Sequence, residues 1–168
     1  MVGSLTLGGY DQLRFTPNNL SFDFADVDYR DLVVGIQAIS TEEIPDLLPD
    51  GGILAYVDST VPHIWLPLSA CQAIEKAFGL TYDATRERYF VNSTHHSNLK
   101  ARNANITFTL GINQSGGDSI NITLPYGSFD LIASWPESNA TTNEFYFPLR
   151  RAANSSQYTL GRTFLQEA

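Results

Sequence analysis

The 168-residue chain contains one cysteine, Cys71, so no disulfide can close within it. Long apolar runs are missing too. No stretch approaches the ~18 consecutive apolar residues of a membrane-crossing helix, and no transmembrane segment is expected. Positive charge is scarce: ten Lys and Arg stand against eighteen Asp and Glu, giving a net charge of −8 and a pI near 4.6. A surface this acidic repels phosphate backbones, which argues against nucleic acid as a partner and suits solubility and tolerance of low pH. The opening Met1-Val2-Gly3-Ser4 has neither the basic start nor the apolar run of a secretory leader.

What the chain does hold is the material of a folded domain. Hydrophobic residues make up 43% and charged residues 17%, a globular balance with enough length for one core, so residues 1–168 are read as a single domain. Ten Phe and eight Tyr, with recurrent Val, Ile and Thr, favour strands. Seven Asn-x-Ser/Thr triplets begin at Asn19, Asn92, Asn105, Asn113, Asn121, Asn139 and Asn154, where chance placement would give roughly two. The excess points to N-glycosylation and hence to a secreted or cell-surface protein. Secretory marks without a leader are expected of one domain of something longer.

Hydrophobic periodicity divides the chain into short elements. Ser4–Leu7 and Leu20–Phe24 alternate polar and apolar residues and read as half-buried strands. Asp31–Ile39 reads as a further strand. Ser40–Gly52, with two prolines and several acids, reads as a solvated loop. Ile53–Val57 is continuously apolar, as in a strand buried on both faces. Ser69-Ala70-Cys71-Gln72 fits a capping box opening a helix, with Ile74, Ala77 and Phe78 at helical spacing and Gly79 as its stop. Further strands are expected at Arg88–Asn92, Asn105–Leu110, Ser119–Leu124, Asp130–Ser134, Phe145–Leu149 and Tyr158–Leu160, and a short helix at Thr163–Ala168. Many strands and one or two short helices give a mainly-β fold.

Asp58 ends the apolar run and is followed by the hydroxyls of Ser59 and Thr60. A carboxylate leaving a buried strand needs donors, because desolvating a charge is costly. On this local pattern alone, an Asp capping the turn before Pro62 accounts for the motif as well as a catalytic Asp does.

The wider chain resembles the pepsin-like aspartic proteases, and in particular the C-terminal lobe of their fungal secreted or cell-surface members. Gly3–Asp11 resembles the strand and turn that open that lobe. Val57-Asp58-Ser59-Thr60 resembles the active-site motif, in the Asp-Ser-Thr-Val-Pro wording of those members. Pro67 falls where the family places a proline, and Tyr158-Thr159-Leu160-Gly161 is similar to the segment that packs behind the active-site loop. The resemblance covers nearly the whole chain. It implies a pepsin-like lobe and an aspartic endopeptidase that uses no cofactor, with Asp58 as catalytic residue and Ser59 and Thr60 in its loop. It also implies that a second aspartate comes from an N-terminal lobe of the same parent protein, and that the substrate is a peptide or protein. Asp118-Ser119-Ile120, the nearest approach to a second motif, follows Gly116-Gly117 and reads as a hairpin turn. Two positions depart from the family pattern. Thr60 stands where the family has Gly, and Val61 stands where a Ser or Thr hydroxyl bonds the carboxylate. Those departures support a second reading, a catalytically dead pepsin-like domain kept as a binding or cell-surface module. A third is a symmetric dimer of this chain, which needs only one motif per copy.

Other residues carry weaker signals. His95-His96 lacks the further ligands a metal site needs and reads as a solvated surface pair, so no metal is expected. His63 has no Ser nucleophile in an elbow sequence beside it. Trp65 and its apolar neighbours read as core or groove lining. Cys71 reads as a small buried residue, or as an odd cysteine paired outside the chain. Arg150-Arg151 reads as a charged loop or a processing site.

Overall fold

The computed structural model describes residues 11, 13, 18, 20–24, 32–133 and 144–168. Eleven strands, three α-helices and two short 3-10 helices occur among them, so the fold is mainly β, as expected. Chain order is β1 (Val33–Ser40), β2 (Ile53–Val57), β3 (Ile64–Leu66), α1 (Leu68–Phe78), β4 (Thr81–Asp83), β5 (Arg88–Val91), α2 (Ser93–Arg102), β6 (Ile106–Gly111), β7 (Ser119–Leu124), β8 (Leu131–Ala133), β9 (Glu144–Phe147), β10 (Leu149–Arg151), β11 (Thr159–Leu160) and α3 (Arg162–Glu167). They build a seven-stranded sheet, β10-β3-β11-β2-β1-β6-β7, and a four-stranded sheet, β4-β5-β9-β8.

Local chemistry explains the main pairings. β6 and β7 form a hairpin in register from Gly111↔Ser119 to Ile106↔Leu124. Its loop turns through Gly116 (φ 69) and Gly117 (φ 72), conformations that a side chain resists, so Asp118 lies in the expected hairpin turn. The register of β1 with β6 shifts between Ile36 and Ala38. Beside this bulge the Gln37 side-chain amide donates to the Asn113 and Gly116 carbonyls, fastening the hairpin loop. The core joins Ile36, Ile39 and Ala55 with Leu66, Ala70, Cys71, Phe108, Leu149 and Leu160, all buried. Phe147 stacks on Phe129 with ring centroids 4.9 Å apart.

Several expectations are corrected. Leu20–Phe24 is not a strand, and Phe24 is exposed; alternation supplies an apolar face but no ladder partner. Ser40–Gly52 is not simply solvated, because Leu47 and Leu48 reach into the core and Leu47 N–H bonds the Ile39 carbonyl. β2 is covered on one face only. Ile53 and Ala55 are buried, while Leu54 and Tyr56 line a groove with Val33 and Tyr158. Phe145–Leu149 is two strands, interrupted at Pro148, which has no N–H for a ladder. The Ser69 capping box does not form. The α1 N-cap is Pro67 without a side-chain hydrogen bond, and the Ser69 hydroxyl is buried instead of capping. Gly79 ends the helix in the left-handed conformation, as expected.

The helix α2 was not foreseen, and it overturns the reading of His95-His96 as a solvated pair. His95 Nε2 donates to the Phe78 carbonyl at the end of α1, 2.7 Å away. His96 is buried, donates to Asp130 Oδ1 at 2.7 Å, and stacks on Phe145 at 3.6 Å. Arg150-Arg151 is likewise no loop. It lies in β10, where the Arg151 guanidinium sits 3.5 Å over the Tyr82 ring and bonds Tyr89 and Glu75.

Candidate active site

Asp58 leaves the end of β2 at a junction of three strands. The segment 58–63 carries the chain from β2 to β3, and β11 lies between those two strands, parallel to β2 (Leu160↔Val57) and antiparallel to β3 (Thr159↔Trp65). Asp58 N–H donates to the Leu160 carbonyl at 3.2 Å, and Arg162 N–H to the Val61 carbonyl at 2.7 Å. The Thr163 hydroxyl donates to the Pro62 carbonyl at 2.8 Å. Gly161 completes the brace. A Cβ there would overlap the backbone oxygens of Val61 and His63, so only glycine permits this approach. The Leu160-Gly161 segment therefore lies directly against the Asp58 loop.

The carboxylate is half-exposed and Ser59 and Thr60 are exposed. Asp58 Oδ1 accepts the Thr60 hydroxyl at 2.7 Å and the Thr60 N–H at 2.8 Å. These donors, the hydroxyl first, hold the Asp58 carboxyl below its ordinary value against an opposing effect of desolvation, with the Val61 N–H adding the smallest contribution. Donation to the charged form is what stabilises it. Thr60 thus supplies a hydroxyl that Val61 cannot. Its backbone is also unstrained: among the described non-glycine residues only Glu87 and Asn103 have positive φ. The sequence signal for this role was the Asp-x-Thr spacing itself, the pattern of an Asx-type turn. Thr163, which braces the loop, was not singled out in the sequence.

The other singled-out residues sit elsewhere. His63 is buried, its ring 6.1 Å from that of Tyr146. Trp65 lies in β3 with the Arg150 guanidinium 5.2 Å from its ring centroid. Cys71 is fully buried on α1 and its thiol faces the Arg150 carbonyl at 3.3 Å. Burial pushes this thiol up to about 12, so Cys71 is a core residue in this structure and not poised to pair with an outside cysteine. Among the described residues no group of three or more His, Cys, Asp or Glu is gathered to hold a metal, and no helix is long and apolar enough to cross a membrane. Of the sequon residues, Asn92, Asn113, Asn121 and Asn154 are exposed and Asn105 is half-buried. Asn19, Asn139 and the opening motif at 3–10 lie outside the described residues.

No protein-family model matches the chain, and no curated protein matches it in sequence. The fold does match solved structures. The crystal structure of an aspartic proteinase from Irpex lacteus superposes with a TM-score of 0.64 at 16% identity, over 95% of this chain and 45% of that one. The chain thus spans less than half the length of that proteinase, and its architecture is that of the pepsin-like fold.

Proposed function

We propose that this chain is the C-terminal lobe of a secreted aspartic endopeptidase and supplies Asp58 as one of two catalytic aspartates. The observation that carries the reading is the seat of Asp58: a half-exposed carboxylate at a strand end, its charge held by Thr60 and its loop braced through Gly161. The second aspartate comes from the N-terminal lobe of the parent protein. Two carboxylates a few Å apart cannot both remain ionised, so one takes a proton from a shared water while the other holds one. The water oxygen attacks the scissile carbonyl, and the leaving nitrogen is protonated as the C–N bond breaks. A lone Asp58 lacks the group that must flank the water within roughly 3 Å, so the isolated chain is inactive. The exposed sequon residues support passage through the secretory route.

A second reading, a catalytically dead pepsin-like module for binding or cell-surface display, draws on one observation. The Thr60 hydroxyl occupies Asp58 Oδ1 where the family pattern has only glycine. The test is an acid-range assay with casein or a fluorogenic peptide, on this chain and on the full-length protein, each with and without Asp58→Asn. Full-length activity abolished by Asp58→Asn, with a silent isolated chain, is expected. Full-length activity indifferent to the substitution removes Asp58 from the mechanism. No full-length activity at all favours the dead module, and activity of the isolated chain that Asp58→Asn abolishes favours a symmetric dimer.

A further inference from the structure

We propose that Asn92 carries an N-linked glycan whose first N-acetylglucosamine docks in the cleft beside it, against Phe90, and so forms part of the packed structure. The inference rests on the secretory reading above and adds a binding site for one sugar.

Asn92 stands at the joint between β5 and α2 and is exposed. Its side-chain oxygen accepts the His95 N–H at 2.8 Å as the cap of α2. The cap uses only Oδ1. Nδ2, the atom a glycan is attached to, takes no part in that bond, so attachment there keeps the acceptor of the cap. Asn92 lies on the rim of a cleft of about 310 Å³, whose walls include Thr81, Phe90, Glu144 and Phe145. That is the low end of ligand clefts, roughly 300–1,000 Å³, and suits a single sugar unit held on a short tether.

The cleft chemistry is that of a carbohydrate subsite. One face of a pyranose ring presents C–H groups, which leave water favourably against flat aromatic rings. One such ring, Phe90, lies on the Asn92 side of the sheet, and the Arg86 guanidinium 3.9 Å from its centroid holds it in place. Phe145 pairs with Val91 and turns to the core face, onto the buried His96, so it closes the end of the cleft and offers no ring to the sugar. Thr81 adds a hydroxyl at the edge for the sugar, while the Glu144 carboxylate accepts from Arg86 at 2.8 Å and so fixes the guanidinium beside Phe90. Phe90 also stands two residues before Asn92 and four before the acceptor hydroxyl of Thr94. Along a strand, positions two apart share a face, so the ring and the attachment point project to the same side. The other exposed sequons differ: Gly111, Ser119 and Ala152 occupy the corresponding place before Asn113, Asn121 and Asn154.

The experiment compares the full-length protein from a glycosylating secretory host with the same protein from a non-glycosylating one. Glycopeptide mapping reports occupancy and thermal unfolding reports docking. Thr94→Ala removes the acceptor hydroxyl and keeps the Asn92 cap. It is expected to lower Tm by about 2–4 °C in the glycosylating host and to leave Tm unchanged in the other. Trimming the wild-type glycan to a single N-acetylglucosamine should leave Tm unchanged. In a Phe90→Leu background, which keeps an apolar side chain but not the flat ring, the Thr94→Ala effect should vanish. Occupied Asn92 with a Tm indifferent to Thr94→Ala would overturn the docking while the secretory reading stands. Asn92 empty with other sequons occupied would overturn the site alone, and no sequon occupied would overturn both.

Discussion

Thr60 donates twice to a single oxygen of Asp58, through its hydroxyl at 2.7 Å and its N–H at 2.8 Å. The same residue that breaks the family pattern in sequence is therefore the chief stabiliser of the candidate catalytic carboxylate.

This relationship sets the titration of Asp58. Its folded pKa is depressed, so its ionisation adds stability that is fully present above the ordinary value of about 3.9 and is lost as pH falls through the lower folded value. Carboxyl-carbon NMR titration should find the Asp58 midpoint below the ordinary range. Thr60→Ala should raise it, and Thr60→Ser should largely restore it. A midpoint indifferent to both substitutions would mean that the hydroxyl does not hold the charge.

Gly161 should tolerate no side chain. Gly161→Ala forces a Cβ onto the Val61 and His63 carbonyls, and these backbones are themselves tied to Arg162 and β3. Overpacking of this kind costs about 1–3 kcal/mol, and backbone on both sides places the expected loss at the upper end. Urea unfolding measures it; an unchanged midpoint would show that the loop can move aside.

The buried thiol of Cys71 should be silent. Burial raises it from 9.0 to about 12, so the stability from keeping it neutral is complete below pH 9 and is lost only as pH rises toward 12. Native protein at pH 8 should give no reaction with a thiol reagent, and one equivalent after unfolding. Rapid native labelling would place Cys71 at the surface.

His96 should matter for stability and not for catalysis. His96→Ala leaves the Asp130 carboxylate without its 2.7 Å donor and removes the stack on Phe145. Losing a bond to a charged group costs about 1.5–3 kcal/mol, and thermal or urea unfolding reads the change. A neutral substitution would return His96 to the solvated reading suggested by sequence.

The comparison of sequence with structure turns on where each signal is local. β7 matches its expected bounds, Ser119–Leu124, because alternation and a Gly-Gly turn specify a hairpin from neighbouring residues. The stop of α1 at Gly79 was visible for the same reason. α2 was hidden because it buries only His96 and Leu99, too little for an apolar stripe. Its cues were Asn92 as cap and Lys100 and Arg102 in its last turn. The motif around Asp58 was also visible, but the donor role of Thr60 was not. The family pattern cast Thr60 as a misfit for a glycine backbone, whereas its backbone is ordinary and its hydroxyl is what counts.

By itself the sequence determined the mainly-β class, the strand that ends in Asp58, the acidic surface and the seven sequons, since each follows from composition or from spacing over a few residues. Only the tertiary structure decided which face of β2 is covered, that β11 enters between β2 and β3 to brace the Asp58 loop, that Cys71 and His96 are buried, and that Asn92 borders an aromatic cleft. These depend on residues some twenty to a hundred positions apart meeting in space. Such contacts are chosen by the closing of the whole core and not by the preferences of any one segment.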